Sequence, residues 1–149
     1  MEITYPVRKV LLQKGSQVYA LGPEASVYEA IELMSDKGVG ALLVMRGDRL
    51  VGFVSERDYA RKVVLRGKSS RDTRIEEIMS APVRTIPPGT SIEDAMRIMT
   101  ANRIRHLPIV EDGRVEGVVS IGDLVKWIVT AQEQTIRHLK EYIAGAYPG

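Results

Sequence analysis

The sequence predicts a mixed α/β (α+β) fold in which two β-α-β-β-α repeats pack sheet to sheet with pseudo-two-fold symmetry. Three observations support this prediction. Residues 18–58 align without a gap with residues 83–123, an offset of 65 positions. Each copy contains apolar residues at helical spacing and apolar runs of strand length. A single copy of about 60 residues would be marginally stable, so we expect the two copies to share a core.

The elements follow in the same order in both copies. A short strand, at residues 17–21 and 83–86, ends near proline, which cannot donate to a ladder. Ser26 and Ser91 each stand three residues before an acidic residue, which is a helix-start pattern. Two further strands follow around a tight turn, and a helical pattern begins after Ser55 or Ser120. The strand runs and turn dipeptides are 41–45 with Gly47-Asp48, and 107–110 with Asp112-Gly113.

The repeats predict the division of the chain. We expect repeat one over 7–66, a flexible linker over 67–74, repeat two over 75–131 and a C-terminal helical extension and tail over 132–149. Apolar residues within 124–142 predict one long helix, which packs across the first repeat or forms a dimer contact. The run 7–12 at the N-terminus would mirror it.

Composition excludes several classes of protein. The chain of 149 residues has a net charge of +2 and no cysteine, which excludes disulfides and thiolate metal sites. No apolar run is long enough for a membrane span, and no signal-peptide pattern is present, so we expect a cytoplasmic protein without a membrane partner. Basic residues gather between Arg57 and Arg74, but one Trp and one Phe are too few for a nucleic-acid surface with stacking aromatics.

The most informative motif lies where the last strand of each repeat meets a helix. The matched heptads are Gly52-Phe-Val-Ser-Glu-Arg-Asp58 and Gly117-Val-Val-Ser-Ile-Gly-Asp123. A Ser and an Asp three residues later lie together at a helix N-terminus, where backbone N–H groups favour an anion and the carboxylate accepts from hydroxyls. A ribose and a phosphate would satisfy both features. The alternative is that Ser-x-x-Asp only caps the helix.

These motifs resemble those of tandem cystathionine-β-synthase (CBS) domains, also called a Bateman module, of the stand-alone two-domain type. The resemblance is carried by both Ser-x-x-Asp motifs, by residues 55–62 and 67–70, and by Asn102-Arg-Ile-Arg-His-Leu-Pro108. It implies an adenine-nucleotide ligand in two inter-repeat clefts, AMP in first place, with ADP, ATP, NAD or S-adenosylmethionine as alternatives and no metal required. It also implies a disc-shaped homodimer that regulates a protein partner.

The resemblance also assigns residues to the two clefts. The first cleft would be formed by Ser55, Asp58, Met79, Arg84, Ile104, Arg105 and His106, with Arg57 and Arg61 beside them. The second would be formed by Ser120, Asp123, Lys14, Tyr19, Val39, Gly40 and Ala41. Because the arginines and His106 can bind phosphate, we expect tighter binding in the first cleft.

Other patterns do not support catalysis. Arg66-Gly-Lys-Ser69 imitates the end of a P-loop but lacks the required earlier Gly, since that position is Lys62. His106 and His138 lie too far apart in sequence to suggest a metal site. The prediction is therefore a nucleotide-binding sensor that is not an enzyme. A ligand-free dimerisation module is the alternative, and an enzyme ranks third.

Overall fold

The computed structural model describes residues 4–146 and contains the two predicted repeats. A helix precedes each repeat: α1 (Arg8–Lys14) before the first and α4 (Ile75–Ile78) before the second. The first repeat comprises β1 (Ala20–Leu21), α2 (Val27–Lys37), β2 (Ala41–Arg46), β3 (Arg49–Ser55), α3 (Glu56–Tyr59) and a π-helical turn (Ala60–Val64). The second comprises α5 (Ile92–Asn102), β4 (His106–Glu111), β5 (Arg114–Ser120) and α6 (Ile121–Ala146). The α+β fold class is confirmed.

The amphipathic helices begin at the predicted serines. Ser26 Oγ accepts a hydrogen bond from the Glu29 backbone N–H at 3.1 Å, and Ser91 Oγ accepts one from Asp94 at 3.0 Å. Each bond satisfies an N–H group that has no partner within the helix. These local bonds explain why the sequence pattern placed both helix starts correctly.

The two hairpins have the same register, including its irregularity. In β2–β3 the register shifts between Val44 and Met45, and in β4–β5 it shifts between Ile109 and Val110. These pairs are 65 positions apart, so the duplication extends to the β-bulge. The bulge bends each hairpin at the same point.

The first strand of each repeat is shorter than predicted. Strand β1 has two residues and pairs in parallel with β2. In the second repeat, only an isolated bridge between Ile86 and Ile109 remains. Pro82, Pro87 and Pro88 flank this bridge and lack the N–H group that would extend a ladder.

The buried side chains form two clusters, whereas the sequence predicted one shared core. The first repeat buries its own apolar residues together with Ile75 and Ile78 of α4, which precedes the second repeat. The second repeat buries its own residues with Val7 and with Val10 and Leu11, which belong to α1. Each core is therefore completed by the segment that precedes the other repeat, which ties the two units together.

The linker packs against α2. The sequence had predicted a flexible segment here, whereas the structure shows one that is held by hydrogen bonds. The backbone N–H groups of Val27 and Tyr28 donate to the carbonyls of Thr73 and Ser70 at 2.8 and 2.9 Å. Thr73 is buried, and its hydroxyl donates to the Ser69 carbonyl at 2.7 Å. The guanidinium of Arg71 lies 4.0 Å from the centre of the Tyr28 ring. These contacts hold the linker on the first repeat.

Helix α6 extends well beyond the second repeat. It starts at Ile121, directly after Ser120, and Leu124 is fully buried while Trp127 and Ile128 pack against the second core. The rings of Tyr5 and Trp127 lie 4.9 Å apart. Residues 147–149 of the predicted tail lie outside the described part of the chain. Among residues 4–146, no helix is both long and apolar enough to span a membrane.

Candidate functional site: the two strand–helix junctions

The first junction, formed by Ser55 and Asp58 between β3 and α3, is held by a compact set of hydrogen bonds. Asp58 Oδ2 accepts from the Ser55 backbone N–H at 3.0 Å and from the Ser55 hydroxyl at 3.1 Å. Asp58 Oδ1 lies 3.1 Å from Lys62 Nζ, which also donates to the Ile78 carbonyl at 2.8 Å. We call this set junction 1. Its lysine links the carboxylate to the last residue of α4.

Junction 2, formed by Ser120 and Asp123 between β5 and α6, repeats this geometry. Asp123 Oδ2 accepts from the Ser120 backbone N–H at 2.8 Å, and the Asp123 N–H donates to Ser120 Oγ at 3.0 Å. Lys14 Nζ donates to Asp123 Oδ2 at 2.6 Å and to the Val118 carbonyl at 2.8 Å. Here the lysine links the carboxylate to the end of α1.

The two lysines do not occupy equivalent positions of the repeat. At the offset of 65, Lys62 corresponds to Trp127 and Lys14 corresponds to Met79. The sequence assigned Lys14 to the site but missed Lys62. Its spacing of four residues from Asp58 along a helix was the signal that could have revealed it. Both carboxylates therefore have a cationic partner, supplied by different elements.

The environment of junction 2 shifts two pKa values. Burial raises the pKa of the Asp123 carboxyl, but hydrogen bonds from Lys14 and Ser120 outweigh it, so the pKa lies below its ordinary value. Burial lowers the pKa of His106, and the charges of Lys14 and Arg105 lower it further, against the opposite effect of Asp123. His106 is therefore neutral at pH 7, and Asp123 is ionised.

The residues at the start of each hairpin contact the junction of their own repeat. His106 pairs with Ser120 across β4–β5, and the Ile121 N–H donates to the Arg105 carbonyl at 2.9 Å. In the first repeat, Ala41 pairs with Ser55, and the Glu56 N–H donates to the Gly40 carbonyl at 3.0 Å. The resemblance assigns Arg105 and His106 to the cleft of Ser55, and Gly40 and Ala41 to the cleft of Ser120. Backbone pairing within a hairpin does not decide which cleft a side chain lines, so this assignment stays a prediction.

Contacts between the repeats also lie close to the junctions. The rings of Phe53 and His106 are 5.6 Å apart, and Phe53 pairs with Ser80 through backbone hydrogen bonds of 2.8 and 3.0 Å. Met79 packs over Gly52, where a β-carbon would lie 2.9 Å from Met79 Cγ. Only glycine leaves room for Met79 in this position.

The remaining predicted residues fall into an apolar and a cationic group. Tyr19, Val39 and Ile104 are partly buried against the two cores, and Lys37 Nζ lies 5.6 Å from the centre of the Tyr19 ring. The four arginines predicted for the site are exposed, and none of them forms an ion pair or a side-chain hydrogen bond within residues 4–146: Arg57, Arg61, Arg84 and Arg105. These guanidinium groups are available to an anion.

A large hollow lies away from the junctions. It has a volume of about 930 Å³ and is lined by the turn residues Asp48–Val51 and Gly113, by Ala81–Val83, and by Thr85 and Val110. The lining residues of the hairpins lie near the turns, away from the strand ends that carry the junctions, and the others belong to the segment after α4. None of the lining residues was predicted for the site. We base the candidate site on the polar groups of the junctions, because the hollow offers no comparable cluster. No group of three potential ligands among residues 4–146 could hold a metal ion.

Comparison with known proteins finds one family model that matches two segments of this chain. The family model for the CBS domain matches residues 9–65 and 75–130. A mitochondrial CBS domain-containing protein of Arabidopsis thaliana is 40% identical over 127 residues, which cover 82% of this chain and 62% of that protein. The match thus spans less than two thirds of the Arabidopsis protein. A CBS domain-containing protein of Bacillus subtilis is 35% identical over 109 residues, covering 73% of this chain and 77% of that protein.

A solved structure is similar over nearly its entire length. This protein with CBS domains, from Burkholderia ambifaria, superimposes with a TM-score of 0.83 at 48% sequence identity. The superposition covers 85% of this chain and 96% of the other.

Proposed function

The chain belongs to the CBS-domain family, and from this we propose that it is a regulatory module that binds an adenine nucleotide at junctions 1 and 2. Stand-alone members of the family are generally regulatory and ligand-binding, not catalytic. AMP is the ligand proposed first, and ADP, ATP, NAD and S-adenosylmethionine are the alternatives. The proposal includes the division of the chain into repeat one (7–66), linker (67–74), repeat two (75–131) and C-terminal extension (132–149). It also includes a second copy of the chain as partner.

The observation that supports this proposal best is the partly exposed carboxylate at both junctions. The side chains of Asp58 and Asp123 are 13% and 25% exposed. An ionised carboxylate has about four lone-pair sites. The bonds within the chain use only some of them, so ribose hydroxyls could donate to the rest.

Cationic groups near the same carboxylates suit the phosphate of a nucleotide. Arg57 lies between Ser55 and Asp58 of junction 1, Arg61 follows Asp58 along the chain, and Arg105 adjoins junction 2. Guanidinium groups bind phosphate through paired hydrogen bonds. The prediction of tighter binding in the first cleft depended on Arg105 and His106. Both residues contact junction 2 through the backbone, and the His106 ring also lies 5.6 Å from the ring of Phe53 in the first repeat, so each cleft is tested separately below.

The lysines suggest how binding would be transmitted. Lys14 ties α1 to Asp123, and Lys62 ties the end of α4 to Asp58. A ligand that donates to these carboxylates competes with the lysines and changes how α1 and α4 are held. Since each of these helices completes the core of the other repeat, binding would bias the relative position of the repeats.

A calorimetric titration with AMP, ADP, ATP, NAD and S-adenosylmethionine tests this proposal. We expect at least one ligand to bind with micromolar affinity. Asp58→Ala and Asp123→Ala should each weaken one class of site about tenfold or more, because a hydrogen bond to a charged acceptor contributes about 1.5–3 kcal/mol and about 1.4 kcal/mol is a tenfold change in Kd. Asp94→Ala is a matched control, because Ser91 and Asp94 form the same Ser-x-x-Asp pattern at an exposed helix start. Absence of binding by all five ligands would refute the proposal.

A ligand-free dimerisation module is the second candidate. The capping box at Ser55 and Asp58 is complete in both directions, so the motif already has a structural role without a ligand. This candidate predicts that Asp58→Ala lowers the unfolding temperature, while none of the five ligands raises that of the unmodified protein.

A further inference from the structure

The C-terminal half of α6 carries an apolar stripe that no part of the described chain covers. Every side chain from residue 132 to residue 144 is exposed. At 1.5 Å per residue, this part of the helix is about 20 Å long. Most helical stability in proteins comes from packing of an amphipathic face, so a partner on this stripe would stabilise the exposed half of α6.

The stripe has the spacing of a coiled-coil seam. Its positions alternate in steps of four and three residues, which is the heptad spacing of two helices packed along each other. They are Val125, Val129, Gln132, Ile136, Leu139 and Ile143. The apolar members are 46–56% exposed although they lie on one face. A heptad seam fits a second helix with the same spacing, and a second copy of this chain has one.

The charges beside the seam select an orientation. The residues that follow the Gln132 and Leu139 seam positions are Glu133 and Lys140, and within residues 4–146 neither forms an ion pair. On the other side of the seam, Thr135 and Tyr142 are uncharged. In a parallel pair, the side of the seam that carries Glu133 and Lys140 faces the side of the second copy that carries Thr135 and Tyr142. No ion pair would then form, because those two residues are uncharged.

An antiparallel pair brings like sides of the seam together. With Ile136 packed against Leu139 of the second copy, Glu133 lies opposite Lys140 of that copy, and Lys140 opposite its Glu133. A register shifted by one heptad toward the N-terminus would place Glu133 opposite Glu133 of the second copy, and these two like charges repel. Charge therefore favours the first register.

We infer that two copies of this chain associate through the C-terminal halves of α6, antiparallel, with Ile136 against Leu139 of the second copy. This gives the homodimer of the proposed function a surface but is independent of nucleotide binding. Failure of either proposal can be recognised separately, because the tests below measure association without any nucleotide.

Disulfide trapping tests the orientation. The natural chain has no cysteine, so every disulfide comes from an introduced residue. Purified Ile136→Cys and Leu139→Cys variants, one enlarged by a tag, are mixed and mildly oxidised. We expect the mixed dimer to dominate, because only this pair places the two sulfurs within bonding distance. Efficient self-linking of Ile136→Cys alone would indicate a parallel pair and overturn the inference, and so would the absence of linking.

Charge reversal tests the register. In sedimentation analysis, Glu133→Lys and Lys140→Glu should each weaken the dimer about tenfold, since two attractive pairs become repulsive. The double variant should restore it. Glu141→Lys, on the outer side of the helix, is the matched control. All three substitutions are on exposed side chains, so folding is preserved. A monomeric unmodified protein, or a dimer that Glu133→Lys does not weaken, would refute the inference.

Discussion

The ion pair between Lys14 and Asp123 allows a quantitative test, because an equally short pair elsewhere is more exposed. Lys14 Nζ lies 2.6 Å from Asp123 Oδ2, and the side chains are 36% and 25% exposed. At the dielectric constant of water, this distance corresponds to about 1.6 kcal/mol. Ordering of the lysine side chain and screening by salt reduce this value, so we expect a coupling free energy of about 1 kcal/mol.

Asp123→Asn should lower the free energy of unfolding by more than this coupling. The amide can still accept from the Ser120 N–H, but the bond loses its charge and is roughly half as strong. The charge at the N-terminus of α6 is also lost, which costs about 0.3–1 kcal/mol. The total is about 2 kcal/mol, or about 4–8 °C in unfolding temperature for a chain of this size.

A double-mutant cycle with Lys14→Met separates the pair from these other effects. Urea denaturation of the two single variants and the double variant gives the coupling free energy. Glu93 and Arg97 form a matched control pair with the same 2.6 Å distance but side chains 42% and 70% exposed. Their coupling should be about 0.3–0.5 kcal/mol. Equal coupling in both cycles would show that burial does not strengthen the junction pair and would refute this reasoning.

Three further predictions concern packing, pH and the linker. Gly117→Ala should destabilise the protein by about 1–3 kcal/mol in urea, because its β-carbon would lie 2.7 Å from Leu11 Cδ2. Combination with Leu11→Ala should cost less than the sum of the single changes. Because the pKa of His106 is lowered in the folded state, the unfolded chain binds more protons, and stability should fall as the pH drops below the ordinary value of 6.5. His106→Gln should flatten this slope in a pH series of thermal melts, and an unchanged slope would contradict the assignment. Thr73→Val should cost about 1–2 kcal/mol, since the Ser69 carbonyl loses its buried donor; an unaffected melt would mean that the linker contacts do not stabilise the fold.

The sequence predicted most of the local structure correctly. The starts of α2 and α5, the hairpin turns and the ends of β3 and β5 at Ser55 and Ser120 all agree with the structure. Each depends on residues within a few positions of one another, such as a serine and the N–H group three residues later. The duplication strengthened these predictions, because a pattern that occurs twice in register is rarely accidental.

The candidate site was predicted less completely. The Ser-x-x-Asp corners and Lys14 were identified, but Lys62 was missed, and the backbone contacts of Arg105 with Ile121 and of His106 with Ser120 were not anticipated. The assignment of Arg105 and His106 to the first cleft stays a prediction. The lysine at each carboxylate comes from a different position of the repeat, so comparison of the two copies could not find it. The hairpin register, which places His106 beside Ser120, depends on a ladder of backbone bonds that the sequence shows only indirectly.

The sequence alone determined the repeat, its elements and the two equivalent corners, because helical periodicity, capping and turn formation depend on neighbouring residues. Only the tertiary structure decided that α1 completes the second core and α4 the first, and that Lys14 and Lys62 also donate to the carbonyls of Val118 and Ile78. These contacts join residues far apart in the chain, such as Lys14 and Val118. They form where the packing of separate elements brings side chains together, and no local pattern encodes that packing.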